Sequence, residues 1–110
     1  MPRQYVPDRG DIVWLHLNPQ AGHEQTGRHP ALVLSPALYN KPTGLMLCCP
    51  LTAKIKGYPF EVAISGQNAA VALADRIKSL DWRVHRAEYK GKAAQAEVAD
   101  VLAKAYTLLK

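Results

Sequence analysis

Leu45-Met46-Leu47-Cys48-Cys49-Pro50-Leu51, the break Lys56-Gly57-Tyr58-Pro59, and Phe60-Glu61-Val62-Ala63-Ile64 form the stretch that decides how this chain folds. Two short apolar runs separated by turn residues read as strand, turn, strand. The same rhythm extends outward through apolar runs at 12–17 and 31–35 on one side and 71–74 and 77–80 on the other. The breaks at Asn18-Pro19, 22–30, 39–44 and Ser65-Gly66-Gln67-Asn68 are rich in residues that fit turns for steric or hydrogen-bonding reasons. Strands this short and closely spaced predict a compact barrel or curled sheet. Pro50 cannot donate a ladder hydrogen bond, so the run from Leu45 is expected to bulge or reach an edge there. Adjacent Cys48 and Cys49 point to opposite faces of a strand, which is poor geometry for a disulfide and reads as packing in a reducing compartment.

The period changes at the end of the chain. Val98, Val101, Leu102, Ala105 and Leu109 fall on one helical face, with Glu97 and Asp100 early and Lys104 and Lys110 late, as the helix dipole favours. The expectation is one amphipathic helix whose apolar face closes the core. At 110 residues, 48% of them hydrophobic, the chain suits one core and a single domain over 1–110. No apolar run approaches the roughly 20 residues of a membrane span, and Met-Pro-Arg-Gln-Tyr lacks the apolar core of a signal peptide, so no membrane association and a cytoplasmic protein are expected.

The formal charge of +5 and pI of about 9.4 favour a polyanionic partner. Between Arg76 and Lys92, six cationic side chains stand against only Asp81 and Glu88. A solvated basic face is the bland reading of that segment. The polar break Gly22-His23-Glu24-Gln25-Thr26-Gly27-Arg28-His29-Pro30 reads as an exposed loop joining two strands. Its carboxylate, two imidazoles, guanidinium and carboxamide bring together proton acceptors, proton donors and a phosphate clamp. His23 and His29 have no cysteine or third histidine at a ligand spacing, so no metal site is expected.

The chain resembles the MazF/PemK family of toxin endoribonucleases over nearly its whole length. The resemblance is carried by Tyr5-Val6-Pro7-Asp8 with Gly10-Asp11, Gly22-His23-Glu24-Gln25, Pro30-Ala31-Leu32-Val33-Leu34-Ser35-Pro36, Tyr39-Asn40, Lys56-Gly57-Tyr58-Pro59-Phe60-Glu61-Val62, Val71-Ala72-Leu73-Ala74-Asp75 and Lys78-Ser79-Leu80-Asp81-Trp82-Arg83, in shared order. It implies a mainly β, SH3-like small barrel of the MazF/PemK/CcdB toxin type with a C-terminal helix. It also implies a homodimer, an acidic MazE-like antitoxin, and sequence-specific cleavage of single-stranded RNA without a cofactor or metal.

In that reaction the 2′-hydroxyl attacks the adjacent phosphate, leaving a 2′,3′-cyclic phosphate and a 5′-hydroxyl. The protein must supply a base, an acid and donors for the phosphoryl oxygens. The family pattern assigns the active centre to the loop glutamate, here Glu24, to an arginine before the loop's closing proline, and to a strand-end threonine, here Thr52. At the arginine position this chain carries His29, with Arg28 immediately upstream, as though the two had exchanged places. Either a mobile loop lets Arg28 swing in as clamp, or His29 serves as acid or base. Gln25, Lys54, Lys56, Tyr58, Asp75, Lys78, Arg83 and Arg86 are the candidate RNA contacts, and Trp14, Tyr39, Tyr58 and Trp82 the aromatic residues available for stacking. The rival function is a non-catalytic binder on the same fold, either a gyrase-binding toxin of the CcdB kind or a degenerate RNA binder.

Overall fold

The computed structural model describes residues 4–16 and 27–110. Seven strands and two helices follow in the order β1 (Asp11–His16), β2 (Arg28–Val33), α1 (Ala37–Thr43), β3 (Leu45–Thr52), β4 (Glu61–Ile64), β5 (Ala70–Leu73), β6 (Lys78–Asp81), β7 (Glu88–Lys92) and α2 (Gln95–Tyr106). All strand pairs are antiparallel, in the order β4-β5-β3-β2-β1-β7, with β6 also on β3. The expected small barrel is therefore a curled antiparallel sheet, a half-barrel with one C-terminal helix.

Both faces of the sheet are covered, which is why its central strands read as nearly continuous apolar runs. Ile12, Leu32, Cys49 and Leu51 pack toward Val98 and Val101 of α2, whereas Val13, Val33, Met46 and Cys48 pack with Trp82 on the other face. Cys48 and Cys49 thus separate as expected, both free and buried. Pro50 neither bulges nor sits on an outer strand. It pairs with Ala31 on one side, while on the other side β6 ends its pairing at Cys48 and β5 begins at Leu51. The residue without an N–H falls where β3 changes partners.

Several expectations are corrected. The break at 39–44 contains helix α1, closed by left-handed Gly44, whose N–H bonds the Asn40 carbonyl at 2.9 Å. The fully buried Asn40 donates to the carbonyls of Pro7 (2.8 Å) and Ser35 (2.9 Å) and accepts from the Ser35 hydroxyl at 2.7 Å, tying α1 to two other segments. Strand β7 lies within the basic segment and pairs with β1. The terminal helix buries Val98, Val101 and Ala105, but Leu102 is 37% exposed and Leu109, beyond the helix end, is 76% exposed. Its apolar face is therefore wider than the core it closes.

Candidate active site

Glu24 and Gln25 lie outside the described residues. The loop that was expected to run through Pro30 stops earlier, because β2 begins at Arg28 and pairs with β1 in the register His16↔Arg28, Leu15↔His29, Trp14↔Pro30. In a strand, successive side chains point to opposite faces. Arg28 and His29 are therefore turned away from each other.

Arg28 lies on the face of Trp14. Its guanidinium sits 4.4 Å from the indole centroid and 3.4 Å from a Glu88 carboxylate oxygen, and Glu88 also approaches His16 Nε2 at 3.4 Å. Lys90 approaches the same indole at 4.9 Å and donates to Gln67. These cation–π and ionic contacts place Arg28 on the Trp14 face of the sheet, within a strand and not within the loop expected from the sequence.

His29 lies on the other face, with Ala31 and Leu15. There it helps line a recess of about 190 Å³ with Cys48, Pro50, Lys78 and Leu80. Along β3, Cys48, Pro50 and Thr52 share that face by the same alternation, so Thr52 stands one two-residue step beyond the recess, roughly 7 Å away. Thr52 opens a second recess of about 130 Å³ with Lys54, Lys56, Tyr58, Glu61 and Arg76. The Thr52 hydroxyl oxygen accepts the Lys54 N–H at 3.1 Å, which leaves its own hydrogen free to donate. Glu61 is occupied by the amides of Lys56 (2.9 Å) and Gly57 (2.8 Å), and the Tyr58 hydroxyl donates to Asp75 at 2.8 Å. That bond to a carboxylate raises the Tyr58 phenol above its ordinary range. Among the described residues, Lys54, Lys56 and Arg76 form no ion pair and line this recess beside the occupied Glu61 carboxylate.

The structure thus brings His29, Thr52, Lys54, Lys56, Tyr58 and Lys78 to neighbouring recesses, with Asp75 attached through its bond from Tyr58. The basic segment, by contrast, divides. Arg83 donates to the Lys41 carbonyl at 3.0 Å and stacks on Trp82 at 4.7 Å, Arg86 is an exposed turn residue with φ of 50°, and Lys92 pairs with Asp11 at 2.9 Å. Of the stacking candidates, Trp82 is core at 2% exposure, its indole N–H bonded to the Asn40 carbonyl, and Tyr39 belongs to an apolar groove. Sequence reasoning passed over Arg76 as a site residue, although its place next to Asp75 could have drawn attention to it. Among the described residues, no three His, Cys, Asp or Glu side chains gather as a metal cluster, and no helix is long and apolar enough to cross a membrane.

Comparison with known proteins gives one consistent outcome. Residues 8–109 match the family described as "PemK-like, MazF-like toxin of type II toxin-antitoxin system". The chain is 49% identical over 110 residues to the endoribonuclease toxin MazF of Escherichia coli K12, covering 99% of each. It is 29% identical to the Escherichia coli endoribonuclease PemK, covering 93% of this chain and 81% of that one. Among solved structures, a MazE–MazF crystal structure from Deinococcus radiodurans superposes with a TM-score of 0.90 at 55% identity, covering 96% of this chain and 97% of that chain.

Proposed function

The chain belongs to the PemK-like, MazF-like toxins of type II toxin-antitoxin systems, and from that membership we propose that it is a cytoplasmic toxin endoribonuclease, 1–110 forming one domain, that cuts single-stranded RNA at short sequences as a homodimer. The observation that supports this reading is the pair of neighbouring recesses at His29 on β2 and Thr52 on β3, which bring an imidazole, a hydroxyl and the cations Lys54, Lys56, Arg76 and Lys78 to one side of the sheet. RNA supplies its own nucleophile, so the reaction asks for a base to take the 2′-hydroxyl proton, a proton for the departing 5′-oxygen and donors for the charge growing on the phosphoryl oxygens, none of which needs a cofactor. Glu24, Gln25 and Asp75 complete the proposed RNA site, with Lys54, Lys56, Tyr58, Lys78 and Arg76 along the strand's path. Arg83 and Arg86, set apart from the recesses, would meet only flanking phosphates.

An apolar groove on another side supports the dimer. Leu34, Tyr39, Leu47, Leu102, Tyr106 and Leu109 line a cavity of about 740 Å³, which joins the sheet to the exposed flank of α2. A second copy is the occupant that buries this surface symmetrically. The positive charge and the similarity to the MazF of the Deinococcus radiodurans MazE–MazF crystal structures support an acidic antitoxin as the inhibitory partner.

The test is incubation of purified protein with end-labelled single-stranded RNA in EDTA. Fragments ending in cyclic phosphate and 5′-hydroxyl are expected, with duplex RNA resistant and DNA intact. Continued cutting at a bond whose neighbouring 2′-hydroxyl has been replaced by hydrogen would sink the mechanism.

A further inference from the structure

Resting on the endoribonuclease reading above, we propose that His29 is the general base for the 2′-hydroxyl, that Lys78 is the cation facing the phosphate beside it, and that Arg28 stands outside the reacting centre.

Strand geometry carries the first part. His29 and Arg28 are neighbours in β2, and only His29 is on the face that continues through Pro50 to Thr52. Exchanging them would require β2 to slip by one residue, and that slip would turn Ala31 and Val33 out of the core. Such a shift is opposed by the loss of that burial. Arg28 is moreover engaged by Trp14 and Glu88.

The chemistry of the recess carries the second part. The elements around His29 offer Leu15 from β1, Cys48 and Pro50 from β3, and Lys78 and Leu80 from β6. Among the described residues, the groups that can carry charge there beside His29 are thus Lys78 and Cys48. Burial pushes the Cys48 thiol up to about 11, so it remains a protonated, inert wall. Lysine has donors and no acceptor at neutral pH, whereas a neutral imidazole offers a lone pair. Among the described residues of the recess, His29 is consequently the side chain equipped to accept a proton, and Lys78 the one equipped to face a phosphoryl oxygen. In the step, a ring nitrogen of His29 takes the 2′-hydroxyl proton as the 2′-oxygen–phosphorus bond forms. The phosphorus–5′-oxygen bond breaks, the 5′-oxygen takes a proton from solvent, and imidazolium returns its proton to solvent after product leaves.

The experiment is the pH dependence of kcat on a single-site RNA in EDTA, from pH 5 to 9, for the wild type, His29→Gln, Arg28→Ala and Lys78→Met. The wild-type rate is expected to rise with pH and then level off, as a rate that depends on an unprotonated general base does. His29→Gln is expected to lose that limb and on the order of a hundredfold or more in kcat, with KM within a few-fold. Lys78→Met is expected to keep the limb at a lower rate, and Arg28→Ala to cost at least tenfold less than His29→Gln. Because His29 is exposed, its variant should match the wild type in circular dichroism and melting, and added imidazole should partly restore His29→Gly. A wild type that leaves RNA intact at every pH overturns the nuclease reading itself. A wild type that cuts, with His29→Gln keeping its rate and limb or with Arg28→Ala the more damaging change, overturns the assignment of His29 alone.

Discussion

Asn40 and Thr52 show how differently two polar side chains are used in one small fold. The Asn40 carboxamide is bonded through both its oxygen and its nitrogen inside the protein, and the backbone carbonyl of the same residue accepts the Trp82 indole N–H at 2.8 Å. Truncating it strands the carbonyl of Pro7 and the Ser35 hydroxyl. Asn40→Ala should therefore cost about 2–4 kcal/mol in urea unfolding. A loss below about 0.5 kcal/mol would mean the network is not holding α1. Thr52 is only half-buried and keeps a hydroxyl hydrogen uncommitted. Thr52→Val preserves the β-branched shape, so stability should hold while RNA cleavage falls by roughly ten- to a hundredfold. Equal losses in both measurements would point to a structural role instead. Cys48 and Cys49 differ from both, for burial raises their thiols to about 11 and about 12. They should resist alkylation at pH 8 in the folded protein and react in denaturant, as mass spectrometry can follow.

At the scale of elements, the helix α2 is joined to the sheet at its first turn. Glu97 accepts the Ser65 N–H at 2.9 Å and the Ala94 N–H at 3.0 Å, so one carboxylate both caps the helix and fastens the turn between β4 and β5. Those backbone bonds lower the Glu97 pKa, and bonds from the Ala37 and Arg9 amides do the same for Asp8 before α1. Depressed carboxylates contribute stability that is present above their unfolded values, near 4, and is lost as pH falls through the lower folded values. The melting temperature should thus hold down to about pH 5 and fall below it. Glu97→Gln should lower the neutral-pH melting temperature and flatten part of that acid decline, and an unchanged acid profile would argue against the cap.

For the whole molecule, the largest apolar groove and the cationic recesses at Thr52 and His29 share no lining residue. The groove between Leu47 and Tyr106 is apolar, whereas the recesses at Thr52 and His29 contain Lys54, Lys56, Arg76 and Lys78. Self-association and polyanion binding can therefore be separated experimentally. Leu102→Glu should shift sedimentation from dimer toward monomer at micromolar concentration, because a carboxylate cannot be buried unpaired in that groove. RNA affinity should fall steeply between about 50 and 200 mM salt, as release of counterions from phosphates requires. Replacing Arg76 with Ala should shallow that slope by about one and leave the dimer intact.

The amino-acid sequence alone determined that the protein is mainly β with a closing helix, because apolar runs at 12–17, 31–35, 45–51, 60–64 and 71–74 carry their own signal. It also determined which reactive side chains are available, and a resemblance in ordered motifs pointed to RNA cleavage. It was silent on β7, whose Glu88-Tyr89-Lys90-Gly91-Lys92 has no apolar run and is a strand through its pairing with β1. It was equally silent on α1, where seven residues including Pro42 are too few for a helical period and a buried asparagine supplies the anchor. The choice between Arg28 and His29 also belonged to the tertiary structure. Neighbouring residues in a strand face opposite ways, and only the register of β2 against β1 and β3 decides which of them meets the recess and which is turned onto Trp14.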